Sequence, residues 1–138
     1  MPLLSIYIIR TSLIHLVTGF TLGAILLLTK TGTLPPTYWK FLPLHQEIVI
    51  FGWILQLVIG VSFWMLPRLP ENQRKREGFV WASYIFLNTG ILLICLNSLF
   101  VFTLPMGILG RIFQFLAIGC YAFHIWPRIR PFGDVPVN

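Results

Sequence analysis

Three histidines, one glutamine and several glycines are the residues of this 138-residue chain whose types and spacing suggest chemistry. The histidines are His15, His45 and His124. Neutral imidazole is a good ligand for haem iron, and a porphyrin is a flat apolar plate that fits between helices where glycines leave room. No Ser/His/Asp set, carboxylate pair or phosphate-binding loop accompanies them. The sequence therefore favours cofactor binding over acid–base or nucleophilic catalysis.

His45 lies at the start of a membrane-length apolar run that carries a polar stripe along one side. At about 100° per residue, the residues of the stripe fall within an arc of roughly 80° around the helix axis. They are His45, Val49, Gly52, Gln56, Gly60 and Phe63. A histidine or glutamine turned toward acyl chains loses its hydrogen bonds, which is costly. The stripe is therefore expected to face protein, a cofactor or a water-filled cavity. As haem-binding residues we predict His45, Gly52 and Gln56.

The depths of the histidines predict which of them share an iron. At about 1.5 Å per residue, His15 lies roughly 7 Å inside Arg10, and His124 lies roughly 6 Å inside Arg128. His15 and His124 are therefore the depth-matched intrachain pair of metal ligands. His45 lies near the opposite side of the membrane. If it ligates an iron, the second axial ligand comes from another subunit, is a non-protein group, or is missing.

Two charged residues lie at about the level of His45 in the predicted bundle. Arg111 is at about the level of His45, where it either pairs with haem propionates or snorkels to the headgroups. Glu47 lies about 200° from His45 on a helical wheel. We therefore interpret it as an interfacial carboxylate bonded to loop groups, and not as a proton-relay residue.

The composition predicts an integral membrane protein. Hydrophobic residues make up 57% of the chain and charged residues 10%, which is too apolar for one soluble core of this length. The apolar runs predict an all-α, single-domain bundle of four transmembrane helices, with spans at about 11–29, 44–66, 79–104 and 108–126. A short apolar segment before residue 11 either lengthens the first helix or lies at the interface.

The basic residues predict the orientation of the bundle. Four spans put both termini on one side, and that side is the more basic, with Arg68, Arg74, Lys75, Arg76, Arg128 and Arg130. The positive-inside rule therefore predicts cytoplasmic termini. The net charge of +6 is assigned to contacts with anionic headgroups of the lipid bilayer, and nucleic-acid binding is excluded.

The second span resembles a known helix. It is similar to the second transmembrane helix of the catalytic subunit of the haem-copper oxidase superfamily, closest to the nitric oxide reductase and cbb3-type branches. The residues that carry this resemblance are the run HQEIVIFGW from His45, then Gly60, Trp64, Leu66 and Pro67. The chain is also similar to small four-span bacterial proteins whose fourth span ends in a Trp-Pro-Arg-hydrophobic-Arg pattern, here residues 126–130.

The resemblance implies a haem b-binding protein of the bacterial inner membrane that acts in electron transfer or in handling nitric oxide or O2. His45 would match the low-spin haem ligand. Because the large subunit contains three arcs of four helices, a homo-oligomer, such as a trimer, would be its small counterpart. Copper is not expected, since the chain lacks the family's histidine pair and cross-linkable tyrosine motif.

A second class of function stays open. In it, the chain is a cofactor-free structural or assembly subunit of a membrane respiratory complex, and its histidines only form hydrogen bonds between helices. Whether the chain has enzymatic activity of its own also stays open.

Overall fold

A computed structural model describes residues 2–66, 77–100 and 105–129 of the chain. Every regular element in these ranges is helical, so the predicted all-α class is confirmed. Among the described residues, four helices are long and apolar enough to cross a membrane, which agrees with a multi-pass membrane protein. The basic segment 67–76, residues 101–104, and the tail from Arg130 lie outside the described residues.

The first span is a single helix, α1, which runs from Leu3–Lys30. Its N-cap is Pro2, whose extended backbone cannot continue a helix upstream. The apolar segment before residue 11 therefore lengthens the helix and does not lie apart from it. As a result Arg10, predicted to mark the edge of the span, lies within the helix about two turns from its start.

The second span, Pro36–Met65, is one continuous helical rod built from four pieces. It begins with a 3₁₀ turn at Pro36–Phe41 and continues as α2 (Leu42–Glu47), a π-helix (Ile48–Leu55) and α3 (Gln56–Met65). Proline is well tolerated at the first helical position because its missing N–H has no helical partner there. The π-helix has wider turns than an α-helix, so each residue advances the helix by fewer degrees.

The last two spans are α4 (Glu77–Leu99) and α5 (Met106–Ile125), which pack as an antiparallel hairpin. They come close together where Gly90 faces Gly110. A Cβ on Gly90 would lie 2.8 Å from the carbonyl oxygen of Gly110, so this crossing leaves no room for a side chain. Paired small residues allow such close approach between membrane helices.

An apolar core joins α1 and span two to the α4–α5 hairpin. Its buried members come from all four spans: Leu4, Ile8, Ile59, Phe63, Val80, Leu87, Ile91 and Ala117. Ring and side-chain contacts join Tyr7 of α1 to Trp81 of α4, and Ser62 of α3 to Tyr121 of α5. The start of α1 and the end of α5 therefore lie at the same end of the bundle.

Candidate functional site

The polar stripe of span two faces α1. The Nδ1 of His45 lies 2.9 Å from the carbonyl oxygen of Gly19, and the ring packs against Gly23, where an added Cβ would lie 3.0 Å from Cε1. Because a carbonyl can only accept, Nδ1 carries the proton and Nε2 keeps its lone pair in the neutral ring. The stripe was predicted to face protein, a cofactor or a water-filled cavity, and at His45 it faces the protein helix α1.

Gly52 is covered by the ring of a second histidine. A Cβ added at Gly52 would lie 2.7 Å from Cγ of His15, which is well inside ordinary contact. The missing side chain of Gly52 therefore makes room for His15. A porphyrin cannot occupy the same place while this contact exists.

Further along the stripe, Gln56 and Gly60 also pack against α1. Gln56 is fully buried, and its Nε2 donates a 3.3 Å hydrogen bond to the carbonyl oxygen of Ile8. The carbonyl of Gly60 accepts a hydrogen bond from Oγ of Ser5. From His45 to Gly60, these groups form what we call the polar seam, a helix–helix contact made of side-chain-to-backbone hydrogen bonds and glycine cradles.

The predicted depth match between His15 and His124 is wrong. His15 packs against Gly52, whereas the ring of His124 lies 5.6 Å from that of Phe63. Gly52 and Phe63 are eleven residues apart in span two, which corresponds to about 16 Å along the helix. The prediction failed because it measured depth from Arg10, and α1 begins at Leu3 instead. The two imidazoles cannot ligate one iron within a chain.

Arg111 has a carboxylate partner within the chain. Its guanidinium forms a 2.9 Å ion pair with Glu47, donates a 2.8 Å hydrogen bond to Oε1 of Gln114, and lies over the ring of Phe51. The amide of Gln114 donates in turn to Glu47. Arg111, Glu47 and Gln114 are thus each bonded to the other two, and we call these three residues the ion cluster. No haem propionate is needed to satisfy Arg111.

Burial within the ion cluster is uneven. Glu47 and Gln114 are each 2% exposed, while the side chain of Arg111 is 55% exposed. The interpretation of Glu47 as a carboxylate bonded to loop groups is therefore wrong, since its partners lie on α5. The sequence did contain a signal for part of this contact, because Arg111 and Gln114 are three residues apart and share a helix face.

The α4–α5 crossing positions the ion cluster. Gln114 lies directly over Gly90, where a Cβ would come within 2.8 Å of the glutamine side chain. The absence of a side chain at Gly90 allows Gln114 to lie buried between the hairpin and the end of α2. The ion cluster thus joins span two to the α4–α5 hairpin, on the side of span two opposite the polar seam.

The predicted haem residues do not form a cradle within one chain. Gly52 is covered by His15, Gln56 bonds to α1, and Arg111 is held by Glu47. In the part of the chain that the structure describes, no group of three or more His, Cys, Asp or Glu side chains comes together as a metal site. A haem enclosed by a single chain does not fit these residues.

His45 keeps one property of a metal ligand. Its ring is half-buried, its Nδ1–H is fixed by the Gly19 carbonyl, and its Nε2 makes no hydrogen bond within the described ranges. Metal-ligating histidines typically donate the N–H of their second ring nitrogen to a carbonyl or carboxylate in this way.

Comparison with known proteins adds no candidate function, because no family model, curated protein or solved structure matches the chain.

Proposed function

We propose that the chain is a cofactor-free structural subunit of a membrane complex, in which the conspicuous polar residues tie its own helices together. The observation that supports this proposal is the polar seam, where His45 and Gln56 both bond to backbone carbonyls of α1. Interhelical hydrogen bonds of this kind are a common means of fixing helix positions in lipid. The seam gives each of these side chains a role that needs no bound group.

The arrangement also explains why polar groups are retained in so apolar a chain. In a bilayer, an amide or imidazole facing lipid is unfavourable, so such groups define which helix faces must be in contact. The seam fixes α1 on one side of span two, and the ion cluster fixes α5 on the other. A four-helix unit that is joined by these contacts and carries exposed apolar residues is suited to a supporting role in a larger assembly. A respiratory complex is the assembly that the resemblance of span two suggests.

Absorbance of the purified protein and the stability of one variant test this proposal together. We expect a protein without a Soret band, and we expect His45→Ala to lower the free energy of unfolding by about 1 kcal/mol through loss of the bond to Gly19. Thr18→Ala is a matched control, since Thr18 is exposed on the same helix as Gly19 and bonds within its own turn. A stoichiometric haem in the wild-type protein would refute the cofactor-free proposal.

A second candidate function is haem b binding between chains, and the geometry of His45 favours it. The fixed Nδ1–H and the lone pair on Nε2 are the ligand state that iron requires. The second ligand and the walls of the pocket would come from another copy, as in a trimer. Bound haem would supply electron transfer or binding of nitric oxide or O2.

A reduced-minus-oxidised spectrum with a haem-to-protein ratio tests this second candidate. A sharp α-band that disappears in His45→Ala, while the variant keeps its helical circular dichroism, would support ligation by His45. Equal haem content in His45→Ala and wild type would contradict it. Binding of carbon monoxide to the reduced protein would then distinguish an open site from a bis-histidine one.

The orientation of the bundle and its membrane remain part of the proposal. We place both termini on the cytoplasmic side of the bacterial inner membrane, following the excess of basic residues at that end. Fusions of an alkaline phosphatase or a fluorescent protein to the C-terminus test this orientation. Phosphatase activity at the C-terminus would place that end outside the cytoplasm.

A further inference from the structure

Arg10 is a charged residue on the outermost face of a membrane helix. It lies seven residues beyond Leu3, so its Cα is about 10 Å inside the start of α1. At 100° per residue, it is about 160° from the buried residues Ile8 and Ser12, and its side chain is exposed. Within the described ranges the ion pair found is that of Arg111 with Glu47, so Arg10 has no carboxylate partner there.

A guanidinium in this position needs an anion close to the membrane surface. Leaving it among acyl chains is costly, and long basic side chains near helix ends extend toward the headgroups instead. Helical side chains also point back toward the helix N-terminus, which here is the nearer membrane surface. The reach of an arginine therefore carries its charge toward the first turn of α1.

Two aromatic residues mark the headgroup level on this side of the bundle. Tyr7, one turn before Arg10, packs against Trp81 of α4 with ring centroids 6.2 Å apart. Both are partly exposed, at 51% and 41%. Tyrosine and tryptophan concentrate where acyl chains meet headgroups. The side chain of Arg10 thus extends toward the level at which lipid phosphates lie.

We propose that Arg10, with Tyr7 and Trp81 beside it, forms a binding site for the phosphate of an anionic phospholipid. The guanidinium supplies a bidentate donor to the phosphate oxygens, and the aromatic pair supplies a flat apolar surface for the glycerol and upper acyl region. This site lies on the lipid-facing side of α1. It is separate from the polar seam, and it does not depend on either candidate function.

Lipid retention by the purified full-length protein tests the proposal. In native mass spectrometry, we expect wild type to bind phosphatidylglycerol more tightly than phosphatidylcholine with the same acyl chains. Arg10→Gln should weaken phosphatidylglycerol binding about fivefold, and Arg10→Lys should keep most of it. Lys30→Gln is the matched control, because it removes an exposed cation from the other end of the same helix and should leave binding at this site unchanged.

A second measurement tests whether the lipid lies next to Tyr7. A photoreactive phenylalanine analogue at position 7 should crosslink to phosphatidylglycerol, and much less so when Arg10→Gln is added. Unchanged phosphatidylglycerol binding in Arg10→Gln, or equal affinity of wild type for the two lipids, would overturn the proposal. A change in oligomeric mass with no change in lipid binding would also overturn it, since it would mean that Arg10 pairs with a protein carboxylate.

Discussion

The ion cluster predicts an unequal response to removing its two charges. Arg111→Met leaves the Glu47 carboxylate in place, 2% exposed and without its cation, whereas Glu47→Gln leaves a guanidinium that is already 55% exposed. An unpaired buried charge is far less favourable than an exposed one that headgroups and water can solvate. The arginine substitution is therefore expected to be the more destabilising of the two, although both break the same ion pair.

The contacts give a magnitude for each change. Arg111→Met should lower the free energy of unfolding by about 3 kcal/mol, at the low end for a broken buried pair because the guanidinium is partly exposed. Glu47→Gln should lower it by about 1 kcal/mol, since an amide oxygen still accepts from Gln114. The double variant buries no unpaired charge, so it should lose about 2 kcal/mol, which is less than the two single losses combined.

Unfolding by SDS in mixed micelles, followed by circular dichroism and tryptophan fluorescence, measures these differences. Lys40→Met is a control that removes an exposed cation near the start of span two, and it should change stability by less than about 0.5 kcal/mol. Equal losses for the two single variants, or strictly additive losses in the double variant, would refute the reasoning. In that case Glu47 would be solvated and the ion cluster would not join the hairpins.

Two further predictions concern helix contacts. Gly52→Ala should destabilise the protein by about 1–3 kcal/mol because its Cβ would come within 2.7 Å of His15, while Gly119→Ala, where a Cβ meets open space, should stay within about 0.5 kcal/mol in thermal unfolding. A neutral Gly52→Ala would contradict the packing of His15 against span two. Tyr121→Phe removes the hydroxyl that bonds to Ser62, and a loss of about 1 kcal/mol is expected in the same assay. No change there would mean that water or lipid replaces this bond.

The sequence predicted the elements of this fold well, because the bilayer constrains them. A membrane-length apolar run must satisfy its own backbone hydrogen bonds, so it forms a helix. Four such runs therefore predicted four spanning helices, and the residues that the structure describes contain four helices long and apolar enough to span a membrane. The sequence also predicted that the stripe from His45 to Gly60 turns away from lipid, because lipid offers no hydrogen-bond partner for an imidazole or amide.

Periodicity within one helix did not determine what covers each of its faces. The pattern placed His45, Gly52 and Gln56 on one side, but it could not distinguish a cofactor from α1, since both offer a partner for polar groups and fill the space beside glycines. The π-helix at Ile48–Leu55 added to this difficulty. A helical wheel drawn at 100° per residue assumes α-helical turns, so it misplaces residues that follow the wider turns of a π-helix.

The ion cluster was decided by tertiary structure alone. Glu47 and Gln114 are 67 residues apart in the chain, and their contact depends on the close approach of α4 and α5 at Gly90 and Gly110. Sequence spacing relates residues on one helix, whereas the rotation and packing of separate helices decide which residues meet between them. For that reason the amino-acid sequence determined the four helices and the polarity of their faces, and the packing determined which polar residues became partners.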